Sequence, residues 1–568
     1  QKSSMRWQAL PLPDNSKIAL LQEEVGISSI VATLLVQRGM ETFAETKGFF
    51  RPKWEDLHDP FLMQDMDTAV ERINTAVAQE EKIMVFGDYD VDGTTSVALM
   101  TLFLQTLTHQ VTPYIPDRYK EGYGVSYRGI DHAASLGISL VVALDCGVKA
   151  LDKVAYAKEK GIDFIICDHH LPGEALPAAV ALLDPKRQDC SYPFDELCGC
   201  GIGFKLIQAL VKKRSLENAI LYPYLDLVAT AIAADIVPMV GENRTLSFFG
   251  LEQLRKQPRP GIKTFLETLK KPVTVTDLVF KVAPRINAAG RMDHALKAAS
   301  LLMSTSSEEV NQLAPPIEAF NANRRATDER ITNEALLQIE ERNEHDYPAT
   351  VVFHDDWHKG VVGIVASRVI ETYYRPTVVL TRSKENYVGS VRSVKGFNVY
   401  KALEACQAHM IQFGGHKYAA GLTLHEDQLT AFKQAFETVV AKTVLPEQKA
   451  PTAVYDLALP IDEVNVKLFR IIEQMAPFGP KNMRPVFCSH NCIDSGGSKL
   501  VGKDSSHLRL SIQTAQGPMI GIGFGLGHHI DRISKGNPFD VLYTIDQNEW
   551  NGQVSLQLRV KDIRFSSR

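Results

Sequence analysis

The 568-residue sequence predicts an α/β protein: a parallel-sheet domain, a long connecting helix, a second and smaller α/β domain, and a C-terminal β-barrel. Three observations predict it. Apolar, β-rich runs alternate with helical patterns from residue 80 to about 240. The alternation restarts near residue 346. The last 120 residues change to short strands separated by turn signals. The length exceeds what one core can bury, so several domains are required.

Residues 1–80 read mainly as short helices, such as "ISSIVATLLVQRG", and are expected to pack as an extension on the domain that follows. Residues 81–305 form that domain. Its strands are "KIMVF", "VTPYI", "SLVVALD", "DFIICD" and "AVALLD", with helices such as "TTSVALMTLFLQTL" and "ALDKVAYAKEKG" between them. Continuously apolar strands alternating with helices imply a parallel sheet covered on both faces. Residues 306–345, rich in Glu, Asn and Arg, read as the connecting helix. Residues 346–440 hold the second α/β unit, with "ATVVFH", "GVVGIVASRVIETYY" and "PTVVLT". "KTVLPEQKAPTA" reads as a linker. In residues 449–568, "HLRLSIQT", "PMIGIGFG", "FDVLYTID" and "VSLQLRVKDIRF" fit a small barrel of the OB type. The sequence stops there, and no further domain is expected.

Hydrophobic content of 45% and charged content of 23% are those of a globular protein. No apolar run reaches the roughly 18 residues of a membrane span, and "QKSSMRWQAL" holds no signal-peptide core. Eight cysteines in a chain of this length make no disulfide framework. Cys198-x-Cys200, with Cys190 nearby, lacks the spacing and the paired histidines of a zinc site. A reducing, cytoplasmic compartment is expected. Net charge is −5, which excludes a generally basic nucleic-acid binder. Residues 449–568 nevertheless hold 14 Lys+Arg against 11 Asp+Glu, an excess of +3 that leaves −8 on the remainder. A mildly basic end permits local contact with a polyanion.

"IMVFGDYDVDGTTSVALM" places Asp88, Asp90 and Asp92 at alternate positions after an apolar strand. In parallel α/β sheets, ligands gather at the carboxyl ends of strands. Asp145 ends "SLVVALD", Asp168-His169-His170 end "DFIICDHH", and Asp235 lies in "LVATAIAADIVPM". Each alone has a plainer reading. A single strand-end Asp usually caps the next helix, and an adjacent His pair usually lies on the surface or in a core. "DYDVDG" resembles half a calcium loop, but Leu99 stands where an EF-hand needs Glu. Four strand-end segments with compatible groups favour a metal centre. Buried carboxylates repel one another unless a cation neutralises them. Several Asp oxygens with an imidazole suit Mn²⁺ or Mg²⁺. Two such ions can clamp a phosphoryl group and activate a water.

"DYDVDG", "ALDCGV" and "CDHH" resemble the first three motifs of the DHH phosphoesterase superfamily. "IPDRYKEGYGVS", "DLVATAIAADIVPMVGENR", "APRINAAGRM", "GVVGIVASR", "VGSVRS", "FGGHKYAAG", "APFGPKNMRPVF" and "NEWNG" resemble its RecJ branch, in order and over nearly the whole chain. The resemblance implies a DHH domain, a DHH-associated domain and an OB-fold. It also implies a metal-dependent exonuclease that degrades single-stranded DNA from its 5′ end to 5′-mononucleotides, in recombination and repair. A DHH enzyme for short oligonucleotides or cyclic dinucleotides, or an inactive DNA-binding scaffold, are the alternatives.

The same resemblance implies the roles. Asp90, Asp92, Asp145, His169 and Asp235 are the expected ligands of two Mn²⁺ or Mg²⁺ ions, with Asp145 bridging. Asp88 is either a ligand or a support, and His170 either touches the scissile phosphate or holds a ligand. Gly414 and Gly415 permit close backbone approach, and His416 donates to a phosphate oxygen. Arg118, Arg285, Asn287, Arg291, Ser390 and Arg392 are the candidates for substrate phosphates, including the 5′-terminal one. On the barrel, Phe487, Lys499, Lys503, His507, Arg509 and Trp550 are the candidates for stacking and backbone contact. A single-strand-binding protein, a RecQ-type helicase and a monomeric state are expected, and no membrane. Two departures from the pattern stand out: Asp184 replaces the usual Asn, and "TAIAAD" replaces the commoner "GTVAD".

Overall fold

A computed structural model of the chain describes residues 5–550 and 552–565. The chain divides into two compact units. One comprises residues 48–325 together with 477–483; the other comprises 1–47, 326–476 and 484–568.

The first unit is built on a five-stranded, fully parallel sheet of β1 (Ile83–Gly87), β2 (Val111–Tyr114), β3 (Leu140–Leu144), β4 (Asp163–Cys167) and β5 (Ala181–Leu183), in spatial order 2-1-3-4-5. Every residue of β1 and β3 is buried, because helices cover both faces. The order reverses between β1 and β3. That reversal opens a crevice at their carboxyl ends, where α/β sheets bind ligands. Helix α1 (Val91–Gln105) leaves β1 through a turn so close that a Cβ on Gly93 would sit 2.4 Å from the carbonyl oxygen of Asp88. Helices α2 (Gly199–Lys213) and α3 (Leu225–Asp235) complete the surround.

Behind the sheet, Lys205 of α2 is fully buried. Its ammonium donates to Glu242 at 2.9 Å and to the carbonyl of His58 at 2.7 Å. Glu242 also accepts from the Tyr192 hydroxyl and the His58 amide.

In the second unit, a five-stranded mixed sheet runs in the order Gln412–Gly415, Ala419–His425, Asn386–Arg392, Thr377–Ser383, Thr350–His354, with only the last pair parallel. A seven-stranded barrel-like sheet follows, dominated by the long hairpin Phe539–Trp550 and Gln553–Phe565. The 35-residue helix Ser307–Glu341 spans the division between the units.

The N-terminal segment corrects the sequence reading. Residues 5–47 group with the second unit. Strand Arg6–Ala9 pairs in parallel with Thr452–Tyr455, Trp7 donates to Asp562 at 2.7 Å, and the buried guanidinium of Arg38 meets Asp456 at 2.8 Å. Backbone pairing and a buried ion pair decide the partner, and neither shows in a helical pattern. Only residues 48–80 group with the parallel sheet. All eight cysteines are free. Among the described residues no single helix is long and apolar enough to cross a membrane.

Replacing Lys205 with Met leaves Glu242 buried without its cation. Denaturant unfolding of this unit is expected to show a loss of about 3–5 kcal/mol. Adding Glu242→Gln is expected to recover part of that loss.

Candidate metal centre

The crevice at the ends of β1, β3 and β4 gathers the acidic groups. Asp90 caps α1, its Oδ1 accepting from Gly93 N–H at 2.8 Å. Asp92, one residue inside the helix, turns its carboxylate to the N-terminus of α2, where Gly199 and Cys200 amides donate at 2.7 and 2.8 Å. A helix N-terminus favours a carboxylate. Asp145 follows β3 in a left-handed conformation (φ +61°), which an Asp tolerates better than most residues. Asp168 and His169 follow β4, and Asp235 ends α3.

The imidazole of His169 draws these groups together. Its Nε2 lies 3.1 Å from Asp145 Oδ1, 3.6 Å from Asp92 Oδ2 and 3.7 Å from Asp235 Oδ2. Two groups have metal-ligand spacing: Asp92, His169 and Asp235; and Asp145, Asp168, His169 and His170. They share His169. Asp168 was read in the sequence only as part of its motif. It accepts from the amides of Val148 and His169, and it grips His170 Nδ1 at 2.6 Å. Asp88 is wholly buried and accepts from Tyr89 and Gly124 amides; it belongs to neither group.

The electrostatics call for a cation. Burial, then the charges of Asp92, Asp90, Asp168 and Asp235, push the Asp145 carboxyl well above the usual range. Burial and Asp92 push Asp235 up to about 8. Burial raises Asp92 and Asp88 and lowers His169. Burial opposes a charge on His170, but the hydrogen bond and charge of Asp168 prevail and lift it to about 9. Neither oxygen of Asp145 has a hydrogen-bond partner among the described residues. A buried carboxylate with both oxygens bare, ringed by like charges and one imidazole, fits a hard divalent cation.

Glycines missed in the sequence shape this crevice. A Cβ on Gly199 would lie 2.7 Å from Asp145 Cβ. The "CGCGIG" run is therefore the seat of Asp92 and Asp145, with Cys198 capping α2 through a 3.4 Å bond from Gly201 N–H. The small residues at a helix start were the available signal.

The remaining candidates are scattered. The Arg118 guanidinium lies over the Tyr89 ring at 4.9 Å. Arg285 is engaged by Glu318 at 2.7 Å and by the Lys281 carbonyl, an ion pair where a phosphate contact was expected. Asn287 and Arg291 share its helix, Ala283–Met292, whose Gly290 packs against the Tyr89 backbone. In the second unit, Ser390 and Arg392 lie over Gly363 in the first turn of Val362–Thr372. A Cβ there would meet the guanidinium at 2.6 Å. Gly415 has φ +142° and no room for a Cβ; exposed His416 accepts from Tyr418 N–H at its Nδ1.

On the barrel, Phe487 is a correction. Its ring is fully buried against Tyr543, so it cannot stack a base. Lys499 and Lys503 are exposed, and Arg509 is half-buried beside the Gly497 carbonyl. The Trp550 side chain lies outside the described residues. Among the described side chains of the barrel, the exposed aromatic is Phe524, 62% accessible, edge-on to His507 and within 5.9 Å of Arg559.

Comparison with known proteins agrees with this architecture. Residues 82–232 match the DHH family, N-terminal domain; residues 346–442 match the DHHA1 domain; residues 455–562 match the RecJ OB domain. The single-stranded-DNA-specific exonuclease RecJ of Bacillus subtilis is 36% identical over 99% of this chain and 71% of its own length. RecJ of Escherichia coli is 33% identical over 88% of this chain and 90% of its own. The crystal structure of Thermus thermophilus RecJ in complex with Mn²⁺ superposes with a TM-score of 0.85 at 25% identity, over 99% of this chain and 80% of that one.

Removing one of the repelling carboxylates tests the electrostatics. In chelator, Asp145→Asn is expected to stabilise the protein by roughly 1–3 kcal/mol, and the added stabilisation by Mn²⁺ is expected to disappear. A variant less stable than the parent in chelator would show that the Asp145 carboxylate is satisfied without metal.

Proposed function

The chain belongs to the RecJ family, and from that membership we propose that it is a metal-dependent exonuclease. It degrades single-stranded DNA in the 5′→3′ direction to 5′-mononucleotides, in recombination and repair. The observation that carries the chemistry is the buried Asp145, neither oxygen of which has a hydrogen-bond partner among the described residues, in one of two ligand groups that share His169.

Asp90, Asp92, Asp145, His169 and Asp235 are the proposed holders of the metal. Two divalent ions, Mn²⁺ or Mg²⁺, would neutralise these carboxylates and activate a water against phosphorus. The remaining work falls to the protein. The α2 amides orient the Asp92 carboxylate, so that it need not reorganise during reaction. Asp168 holds the proton of His170 at Nδ1, keeps the ring cationic, and leaves Nε2 to meet a non-bridging phosphate oxygen. Asp88 supports the turn that carries Asp90 and Asp92.

In the second unit, Ser390 and Arg392, on a strand that packs against the start of helix Val362–Thr372, and His416 beyond its two glycines, are proposed to bind phosphates of the DNA strand. On the barrel, Lys499, Lys503 and Arg509 would track the backbone, and Phe524 would supply the stacking face assigned in the sequence to Phe487. A single-strand-binding protein and a RecQ-type helicase as partners, a monomeric state and a cytoplasmic location complete the proposal; family resemblance supports them.

On a long single strand with labelled 5′ end and Mn²⁺ present, labelled mononucleotide is the expected first product, with a duplex resisting. Release from the 3′ end first would refute the polarity. Asp145→Ala is expected to reduce turnover at least ~10²-fold while DNA binding persists. Arg392→Ala is expected to cut the preference for a 5′-phosphate over a 5′-hydroxyl by about tenfold, the loss of one charge-assisted contact. An unchanged ratio removes Arg392 from that role.

A further inference from the structure

Three consecutive polar residues open the helix Gly241–Lys256, and all are buried: Glu242, Asn243 and Arg244. Glu242 is the partner of Lys205, and Arg244 donates to the Phe49 carbonyl with its guanidinium over the Phe49 ring. These two anchor the helix. Asn243 does something different. Its side-chain amide donates to two backbone carbonyls at once, Glu196 O at 2.7 Å and Pro238 O at 3.0 Å.

Both carbonyls belong to segments that carry the metal centre. Glu196 leads directly into Cys198, Gly199 and Cys200, the helix start that seats Asp92 and crowds Asp145. Pro238 closes the turn that follows Asp235. That turn is strained: Ile236, β-branched, is held at φ +57° and is 66% exposed. No packing of its own side chain explains that conformation. The turn is gripped just beyond it, where Asn243 takes Pro238 O and the Met239 amide donates to Pro480 O at 2.7 Å.

We propose that Asn243 is a positioning residue for the metal centre: its one amide group sets the spacing between the Asp92 seat and Asp235. The two carboxylates repel, so the distance between their supports must be imposed from outside the crevice. A single planar amide bridging both supports imposes it. The inference rests on the metal-dependent reading above and extends it to a residue that touches neither metal nor substrate.

The test uses the full chain with Asn243→Asp, which keeps the shape and loses both donors, and the milder Asn243→Ser, should the first not fold. Mn²⁺ binding is measured by calorimetry without DNA, and kcat and KM on single-stranded DNA across a range of Mn²⁺. The expected result is Mn²⁺ affinity weakened about 10–100-fold, kcat reduced and partly restored by excess Mn²⁺, and KM for DNA little changed. Parental Mn²⁺ affinity in a folded variant overturns the proposal, because a residue that merely stabilises the fold would leave the folded fraction's affinity alone. So does a rise in KM with kcat intact. Absence of Mn²⁺ binding by the parent chain itself identifies the metal reading as what failed, and the Asn243 role falls with it.

Discussion

Repulsion among buried carboxylates governs the catalytic unit. Asp92, Asp145, Asp168 and Asp235 converge with His169 at the mouth of the parallel sheet. Uncompensated, such a group would neutralise or drive itself apart. Its surroundings oppose both. Asp92 is held by two helix-terminal amides, and Asp168 by two more with the cation of His170. Asp145 has no hydrogen-bond partner among the described residues and meets only the His169 imidazole there, which makes it the oxygen pair most in need of a metal.

The backbone around this group is built for close approach. Gly93 lets α1 begin against the Asp88 peptide, and Gly199 lets α2 begin against Asp145. Asp145 and Ile236 both adopt left-handed conformations beside the centre. Strain of this kind persists only where packing over-determines it. Here the parallel sheet, the buried Lys205–Glu242 pair and the amide of Asn243 supply that constraint. The framework therefore sets ligand positions before any ion arrives, which lowers the reorganisation required during reaction.

The other unit handles charge differently. Ser390 and Arg392 lie on one strand against the start of helix Val362–Thr372, and the barrel offers Lys499, Lys503 and an exposed Phe524 rather than the Phe487 its sequence suggested. Alternation along a strand says that one face is buried. Without the register it does not say which. Phe487 lies opposite Tyr543, inside; a stacking role needs the outside.

By itself the sequence determined the alternating α/β plan, the parallel sheet and the positions of Asp90, Asp92, Asp145 and His169 just past the ends of its strands; Asp235, expected at a strand end as well, instead closes helix α3. Hydrophobic runs and their spacing are local properties, and polar groups that interrupt them are conspicuous. It also carried enough motif order to point to the family. Tertiary structure alone decided the partners. Asp168 proves to be the support of His170, and Cys198 a helix cap. Arg38 reaches Asp456, and Asn243 bridges Glu196 and Pro238. Each of these is a hydrogen bond or ion pair whose two ends are brought together only by the path of the chain through space.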